Sequence, residues 1–176
     1  MAKSSRMADD AQLFDLARRA GERLLAAGVR LATAESCTGG WISKVMTDVA
    51  GSSGWFECGF VTYSNAAKTR DLGVSPETLR RHGAVSEPAV REMAQGALRV
   101  SGAEVAVSVS GIAGPDGAMP GKPVGTVWFA VAVQQGDSIS ITSHREHFTG
   151  DREAVRRRSV EYAFELLLRT ELPRRP

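Results

Sequence analysis

The sequence predicts an α/β fold, a three-layer α/β/α sandwich around a mixed, mostly parallel sheet. Short apolar strands alternate with amphipathic helices through the first two thirds of the chain, which is typical of parallel strands joined by crossover helices. An apolar hairpin then adds an antiparallel pair. The 176 residues, 43% hydrophobic and 24% charged, suit one globular domain. We expect this domain to span residues 10–172, between flexible tails at residues 1–9 and 173–176.

Four elements are predicted before residue 64. Asp10 can cap a first helix, in which apolar residues recur at helical spacing until Gly28 ends it. The next three elements alternate between strand and helix: a strand over residues 29–34, a helix over residues 39–49 and a strand over residues 57–63.

Four helices and three strands are predicted in the rest of the chain. Asn65 can cap a helix, Ser75 begins a short one, and Ser86 precedes a helix with proline in its first turn that runs to about Val100. The remaining elements are a strand over residues 104–110, a Gly/Pro-rich loop over 111–123, hairpin strands over 125–134 and 138–148, and a helix from Asp151 to about Leu172.

Charge and composition exclude several classes of protein. The chain has 22 basic and 20 acidic residues, a net charge of +2 without a basic stripe, which does not favour nucleic-acid binding but would suit a small anion. Cys37 and Cys58 cannot form a disulfide framework, and no apolar leader precedes them. The longest strongly apolar run, residues 127–133, is far short of the roughly 20 residues that cross a bilayer. We therefore expect a cytoplasmic protein that binds neither nucleic acid nor membrane.

Common nucleotide-binding and catalytic signatures are broken or missing. Residues 117–123 resemble a phosphate-binding P-loop, but Asp116 stands where its first glycine belongs and Pro123 replaces its Ser/Thr. His144 and His147 are three residues apart on a predicted strand, so they would point to opposite faces. We expect neither a metal site nor a histidine base.

The first candidate site is TAESCTGG, residues 33–40, which leaves a strand and enters a helix. Backbone N–H groups at the positive end of that helix would suit a phosphate. A plain Ser/Thr cap with a glycine turn explains the same residues, and Cys37 there is more typical of a packed small side chain than of a nucleophile. Spacing alone leaves both interpretations open.

The second candidate site groups Ser53, Tyr63 and Lys68 within sixteen residues. A neutral lysine could accept the serine proton, provided that the lysine pKa falls to about 7–8. A position in the first turn of a helix lowers the pKa of Lys68 only slightly, so burial or a second cation must do the rest. A surface lysine and a strand tyrosine remain the alternative interpretation.

A third candidate site follows the strand at residues 104–110. Ser110 and Gly111 open a loop in which glycines let the backbone approach a ligand, although a long surface turn would have the same composition. Arg152, at the start of the last helix, could bind a carboxylate or a phosphate. The three arginines at residues 156–158 are predicted to form a solvated face.

Taken in order, these segments resemble one family. TAESCTGG, GSSGWFECGFVTYSNAAK, HGAVSE, SGIAGPDG and KPVGTVWFA are similar to the C-terminal domain of CinA, the competence/damage-inducible protein, over about residues 13–172. Gly117-Ala118 departs from the two glycines that relatives often carry. The resemblance implies a stand-alone domain, without the molybdopterin-binding-like N-terminal domain of full-length relatives.

Stand-alone members of this family hydrolyse the carboxamide of nicotinamide mononucleotide to nicotinic acid mononucleotide and ammonia, without a metal. The resemblance implies the same reaction here, with no cofactor, a Ser53 nucleophile, a Lys68 base and an assisting Tyr63. Ser36 is the competing nucleophile. The residues implied in substrate binding are Ser36, Thr38, Gly39, Gly40, Ser110, Gly111 and Arg152.

Two other functions stay open at this point. The domain could bind a nucleotide without catalysis, or it could bind a partner in competence or DNA-damage responses. The presence of Ser53, Tyr63 and Lys68 together favours catalysis on a small-molecule nucleotide. Because homo-oligomers are common among soluble proteins, we expect one here.

Overall fold

The computed structural model describes residues 7–173 and confirms the predicted α/β/α sandwich. The helices are α1 (Asp10–Ala27), α2 (Trp41–Asp48), α3 (Asn65–Leu72), α4 (Pro76–His82), α5 (Glu87–Ser101) and α6 (Arg152–Arg169). The strands are β1 (Leu31–Glu35), β2 (Phe56–Val61), β3 (Val105–Gly111), β4 (Thr126–Gln135) and β5 (Ser138–His147). Most of the two predicted tails, residues 1–6 and 174–176, lies outside the described residues.

The five strands form one mixed sheet in the order β2-β1-β3-β4-β5. β1 pairs in parallel with both β2 and β3, whereas the β3–β4 and β4–β5 pairs are antiparallel. Four of these five strands therefore run in the same direction, and β4 runs against them. Because β1, β2 and β3 end at one edge of the sheet, the segments that follow them meet at that edge.

Helices cover both faces of the sheet. α1, α2 and α6 pack on one face, mainly against alternate valines of β3 and β4. α3, α4 and α5 pack on the other face, and the two-residue period of the strands produces this division. No helix within residues 7–173 is long and apolar enough to cross a membrane.

Small side chains let α5 lie close to the sheet. Ser108 Oγ of β3 donates to the carbonyl oxygen of Val90 in α5 at 2.6 Å. α5 also approaches α3 closely, because a Cβ at Gly96 would overlap the carbonyl oxygen of Leu72. α3, which carries Lys68, is therefore held firmly against α5. The residues of the sheet beneath α5 are mostly alanines: Ala32, Ala34, Ala106, Ala130 and Ala132.

Side-chain caps begin most of the helices, and two of them differ from the prediction by one residue. Asp9 rather than Asp10 caps α1, in a capping box. Ser64 rather than Asn65 caps α3 through its hydroxyl oxygen. Lys68 consequently lies at the end of the first turn of α3.

Candidate functional site

Three hydroxyl side chains lie side by side where the parallel strands end. The register of β1 with its two neighbours places Ser36 beside Thr62 and Ser110. The N–H of Ser36 donates to the carbonyl oxygen of Val109 at 3.1 Å, which extends the β1–β3 ladder to this residue. Because side chains alternate along a strand, Ser36, Thr62 and Ser110 all face the α3–α5 layer.

Lys68 reaches this row of hydroxyls from α3. Its Nζ lies 3.0 Å from Ser36 Oγ and donates to the carbonyl oxygens of Thr62 at 2.7 Å and Tyr63 at 3.1 Å. The side chain is 1% exposed, although lysine is seldom buried in proteins. The two carbonyls fix the amine beside one hydroxyl, which is the geometry of a nucleophile and its base.

Burial lowers the pKa of Lys68 from 10.5 to about 8, because desolvation disfavours the charged form. The three hydrogen-bond partners of Nζ are a hydroxyl and two carbonyl oxygens, none of them ionised. A carboxylate in that place would have raised the pKa again. Lys68 can therefore be neutral near physiological pH, with its lone pair available to the proton of Ser36.

Glu35 occupies the helix start that was predicted to bind an external anion. The residue is fully buried, and its carboxylate accepts the backbone N–H groups of Gly40, Ile42 and Ser43 at 2.8–3.1 Å. The hydroxyls of Thr38 and Ser43 also donate to it, at 2.7 and 2.8 Å. The anion at the positive end of α2 is thus the protein's own carboxylate. Thr38 and Gly40 were predicted to bind substrate, but the hydroxyl of Thr38 and the N–H of Gly40 are bonded to Glu35, so these two groups do not form a phosphate site at this helix start.

A tight turn follows Ser36. Gly39 has φ +61°, and its N–H donates to the carbonyl oxygen of Ser36 at 3.0 Å. Cys37, inside the turn, is 5% exposed, and burial raises the pKa of its thiol to about 12. A thiol with that pKa stays protonated and is a poor nucleophile. The interpretation of Cys37 as a packed side chain is confirmed, which leaves Ser36 as the nucleophilic candidate of this turn.

Arg156 holds the same turn from α6. Its Nε donates to the carbonyl oxygen of Cys37 at 3.0 Å, and its terminal nitrogen donates to that of Thr38 at 3.1 Å. The guanidinium carbon lies 5.3 Å from the ring centroid of Trp41, within the range of a cation–π contact. The predicted solvated face is therefore wrong for Arg156, which ties α6 to the segment carrying Ser36. It is also wrong for Arg157, whose side chain is 14% exposed and lies 4.9 Å from the centroid of the same Trp41 ring.

Tyr63 and Arg152 meet on the outer side of the site. Arg152 donates to the hydroxyl oxygen of Tyr63 at 3.2 Å and to the carbonyl oxygen of Gly114 at 2.8 Å. The side chain of Tyr63 is 61% exposed, so its carbonyl, and not its hydroxyl, is the group that contacts Lys68. Arg152 thereby joins α6 to the segments that follow β2 and β3.

Comparison with known families decides where the chain belongs. The CinA C-terminal domain family matches residues 13–171. The chain belongs to this family. A similar protein, nicotinamide-nucleotide amidohydrolase PncC of Escherichia coli (strain K12), is 58% identical over 158 residues, which are 90% of this chain and 94% of that protein.

Solved structures of CinA proteins have the same fold. Competence damage-inducible protein A (ComA) from Klebsiella pneumoniae subsp. pneumoniae MGH 78578 superposes with a TM-score of 0.85 at 41% identity, over 90% of this chain and 96% of that one. Competence/damage inducible protein CihA from Agrobacterium tumefaciens gives a TM-score of 0.85 at 41% identity, over 94% and 98%. The family and fold predicted from the sequence are confirmed.

Ser53, the nucleophile implied by the CinA resemblance, lies at the opposite edge of the sheet. It falls in a short 3-10 turn before β2, and its carbonyl oxygen accepts from Arg30 at 2.6 Å, just ahead of β1. The six residues of β2 separate this turn from the neighbours of Lys68 by roughly 20 Å. The expected pairing of Ser53 with Lys68 is therefore wrong, and the structure pairs Lys68 with Ser36.

Two residues of this CinA-family site were missed in the sequence. Glu35 ends a buried strand directly before a helix start, which is a recognisable position for a capping carboxylate. Arg156 gave no local signal, because its partner Cys37 lies 119 residues away. Ser110 and Gly111 do reach the site edge, at the end of β3. Within residues 7–173, no group of three His, Cys, Asp or Glu side chains is placed to hold a metal ion.

Proposed function

We propose that this protein hydrolyses the carboxamide of nicotinamide mononucleotide, with Ser36 as nucleophile and Lys68 as base. The observation that carries the proposal is the 3.0 Å contact between Ser36 Oγ and the buried Lys68 Nζ, which has no carboxylate partner within residues 7–173. The substrate is inferred from the relatives, since several are named nicotinamide-nucleotide amidohydrolase and match 94% of their own length at 54–58% identity.

The first half of the reaction acylates the enzyme. Neutral Lys68 takes the hydroxyl proton of Ser36 while Oγ forms a bond to the amide carbon, whose carbonyl oxygen becomes an oxyanion. Protonated Lys68 then donates that proton to the departing nitrogen as the C–N bond breaks. Ammonia leaves, and the nicotinoyl group remains on Ser36 as an ester.

The second half uses water. Lys68 accepts a proton from a water molecule as the water oxygen attacks the ester carbon. When the C–Oγ bond breaks, the proton returns to Ser36 Oγ. Nicotinic acid mononucleotide is released, and both residues regain their starting protonation states.

Backbone N–H groups in the turn after Ser36 are suited to stabilise the oxyanion. The N–H groups of Gly39 and Gly40 are already bonded, to the carbonyl of Ser36 and to Glu35. We assign the oxyanion to the N–H groups of Cys37 and Thr38. Removing one such donor typically lowers kcat by about 10²–10³. The contact of Arg156 with the carbonyl of Cys37 fixes the peptide plane that contains the N–H of Thr38.

Tyr63 and Arg152 have supporting roles in this proposal. Tyr63 positions the amine of Lys68 through its carbonyl, and its exposed ring lies at the entrance with Arg152. Ser110 and Gly111 are proposed to contact the substrate from β3, because Ser110 lies directly beside Ser36.

Ammonia release from nicotinamide mononucleotide tests the function. We expect turnover by the wild type, and a loss of at least about 10³ in kcat for Ser36→Ala and Lys68→Met with folding retained. Ser53→Ala is the matched control, a serine of the same chain at the far edge of the sheet, and should keep full activity. Loss of turnover in Ser53→Ala with activity retained in Ser36→Ala would overturn the assignment. Wild-type binding of the nucleotide without ammonia release would show a binding module instead.

A further inference from the structure

The row of side chains that contains Ser36 continues across the rest of the sheet. Ser110 of β3 pairs with Trp128 of β4, and Trp128 pairs with Arg145 of β5. Directly paired residues point to the same face, so all of them face the α5 side. We call this set the cross-strand row: Thr62, Ser36, Ser110, Trp128 and Arg145.

Three members of the cross-strand row have a polar side-chain group that forms no hydrogen bond within residues 7–173. These groups are the buried hydroxyl of Thr62, the hydroxyl of Ser110 and the indole N–H of Trp128. Trp128 is only partly buried, although it packs against the core beneath α5. An aromatic face and a hydroxyl next to the nucleophile are suited to a ring and a sugar.

Two cations lie at the far end of the row. Arg145 donates to the carbonyl oxygen of Gly121 at 2.7 Å, and Lys122 donates to that of His82 at 2.6 Å. Through these bonds the loop after β3 connects β5 with the end of α4. Lys122 Nζ also lies 3.5 Å from the position that a Cβ would take at Gly83.

Neither cation forms an ion pair with a carboxylate among the described residues, whereas Arg80 and Arg81 of the neighbouring α4 both pair with Glu77. Ser143, two residues before Arg145 on β5, donates its hydroxyl to the carboxylate of Glu87 at 2.5 Å. Ser143 Oγ in turn accepts from Arg91, which places a cation beside that carboxylate. The positive charge of Arg145 and Lys122 is therefore available to an anion.

The length of the row fits a mononucleotide. Three strand spacings separate Ser36 from Arg145, about 14 Å between Cα atoms, and the arginine side chain can reach back along this distance. A mononucleotide carries its carboxamide and its phosphate at opposite ends. A mononucleotide lying along the row with its carboxamide at Ser36 would bring its phosphate to the cations.

We infer that Arg145 and Lys122 form the phosphate subsite of this active site, with Trp128 and Ser110 beneath the ring and ribose. This inference rests on the proposed function. It differs from the expectation that Arg152 binds the phosphate, because Arg152 begins α6, in the layer opposite α5, whereas Arg145 belongs to the cross-strand row itself. A bidentate guanidinium such as that of Arg145 suits a phosphate well.

Steady-state kinetics on two substrates test the subsite. For Arg145→Gln we expect KM for nicotinamide mononucleotide to rise about ten- to hundredfold with kcat within twofold, since a charge-assisted bond to phosphate is lost. KM for nicotinamide riboside, which lacks the phosphate, should not change. Lys122→Gln should show the same pattern with a smaller rise. Arg19→Gln, an exposed arginine on α1, is the control and should match the wild type.

Arg152→Gln decides between the two sites. If it raises KM for the mononucleotide selectively while Arg145→Gln does not, the inference is overturned and the phosphate lies at α6. Equal rises for both substrates in Arg145→Gln would also overturn it. If the wild type releases no ammonia, the proposed function fails. The subsite is then tested separately, by calorimetric measurement of mononucleotide binding to the wild type and to Arg145→Gln. Weaker binding in the variant supports it, and unchanged or absent binding rejects it.

Discussion

The buried amine of Lys68 predicts the pH dependence of the reaction. The base must be neutral to take the proton of Ser36, so the rate follows the neutral fraction of Lys68. With a pKa of about 8, roughly a tenth of the molecules have neutral Lys68 at pH 7. With the ordinary lysine pKa of 10.5, only about one molecule in three thousand would have neutral Lys68 at pH 7. Burial therefore increases the competent fraction about three hundredfold at pH 7.

The expected profile follows from those fractions. kcat/KM should rise about tenfold per pH unit below pH 7, bend near pH 8 and level off above pH 9. The measurement is the initial rate of ammonia release from pH 6 to 9.5 at constant ionic strength, with wild-type folding checked at each pH. A profile that is flat, or that falls between pH 6 and 9, would refute the assignment of Lys68 as base.

The same titration predicts a stability effect that does not depend on activity. The amine of Lys68 stays protonated up to about pH 10.5 in the unfolded chain, but only up to about pH 8 in the folded chain. The unfolded state therefore binds more protons between these values, and the Lys68 contribution to stability rises with pH across that window. Below pH 8 the lowered pKa of Lys68 reduces the free energy of unfolding by roughly 3 kcal/mol. The unfolding free energy of the wild type minus that of Lys68→Met should increase with pH from 8 to 10.5, and a constant value would argue against the shift.

Three further substitutions test the framework of the site. Glu35→Gln should destabilise the protein by about 3–5 kcal/mol in urea unfolding, because an amide nitrogen would face N–H donors, while Glu57→Gln on the surface should cost under about 1 kcal/mol. Arg156→Lys should lower kcat about tenfold at unchanged KM and unchanged pH midpoint, since a lysine cannot hold both carbonyls of the turn; an unaltered kcat would contradict that positioning role. Gly96→Ala should lower stability by about 1–3 kcal/mol through overlap with a backbone carbonyl in α3, as measured by thermal unfolding, and a neutral effect would show that the two helices can separate.

The fold was largely predictable because its signals are local. Apolar spacing, caps and glycine stops lie within each element, so the elements were found to within a few residues. The two cap errors, at α1 and α3, arose because neighbouring Asp-Asp and Ser-Asn pairs both offer capping side chains. Only backbone geometry selects between them.

The proposed catalytic pair, Ser36 and Lys68, was harder to predict because it depends on the sheet. Ser53 was implied as the nucleophile by the CinA resemblance, and because it is 15 residues from Lys68 while Ser36 is 32 residues away, proximity along the chain supported the same choice. In space the order of the two serines is reversed by the parallel pairing of β1 and β2. Ser36 follows β1 and therefore lies near the residues that follow β2, whereas Ser53 precedes β2 and lies a strand length away from them. The alternation of elements was enough to make this argument. The contact of Arg156 with Cys37, by contrast, needs the position of α6 and could not be inferred from spacing.

The alanine lining beneath α5 also constrains how this family can vary. On the valine-rich face, exchanges among similar aliphatic side chains can be absorbed by repacking. On the face of Ala32, Ala106 and Ala130, every exchange except glycine or serine adds volume where α5 already touches the strands. A saturation library should therefore show two tolerance classes alternating along β3 and β4. Substitutions of the second class would displace the start of α5 and inactivate the enzyme while leaving Ser36 and Lys68 chemically intact.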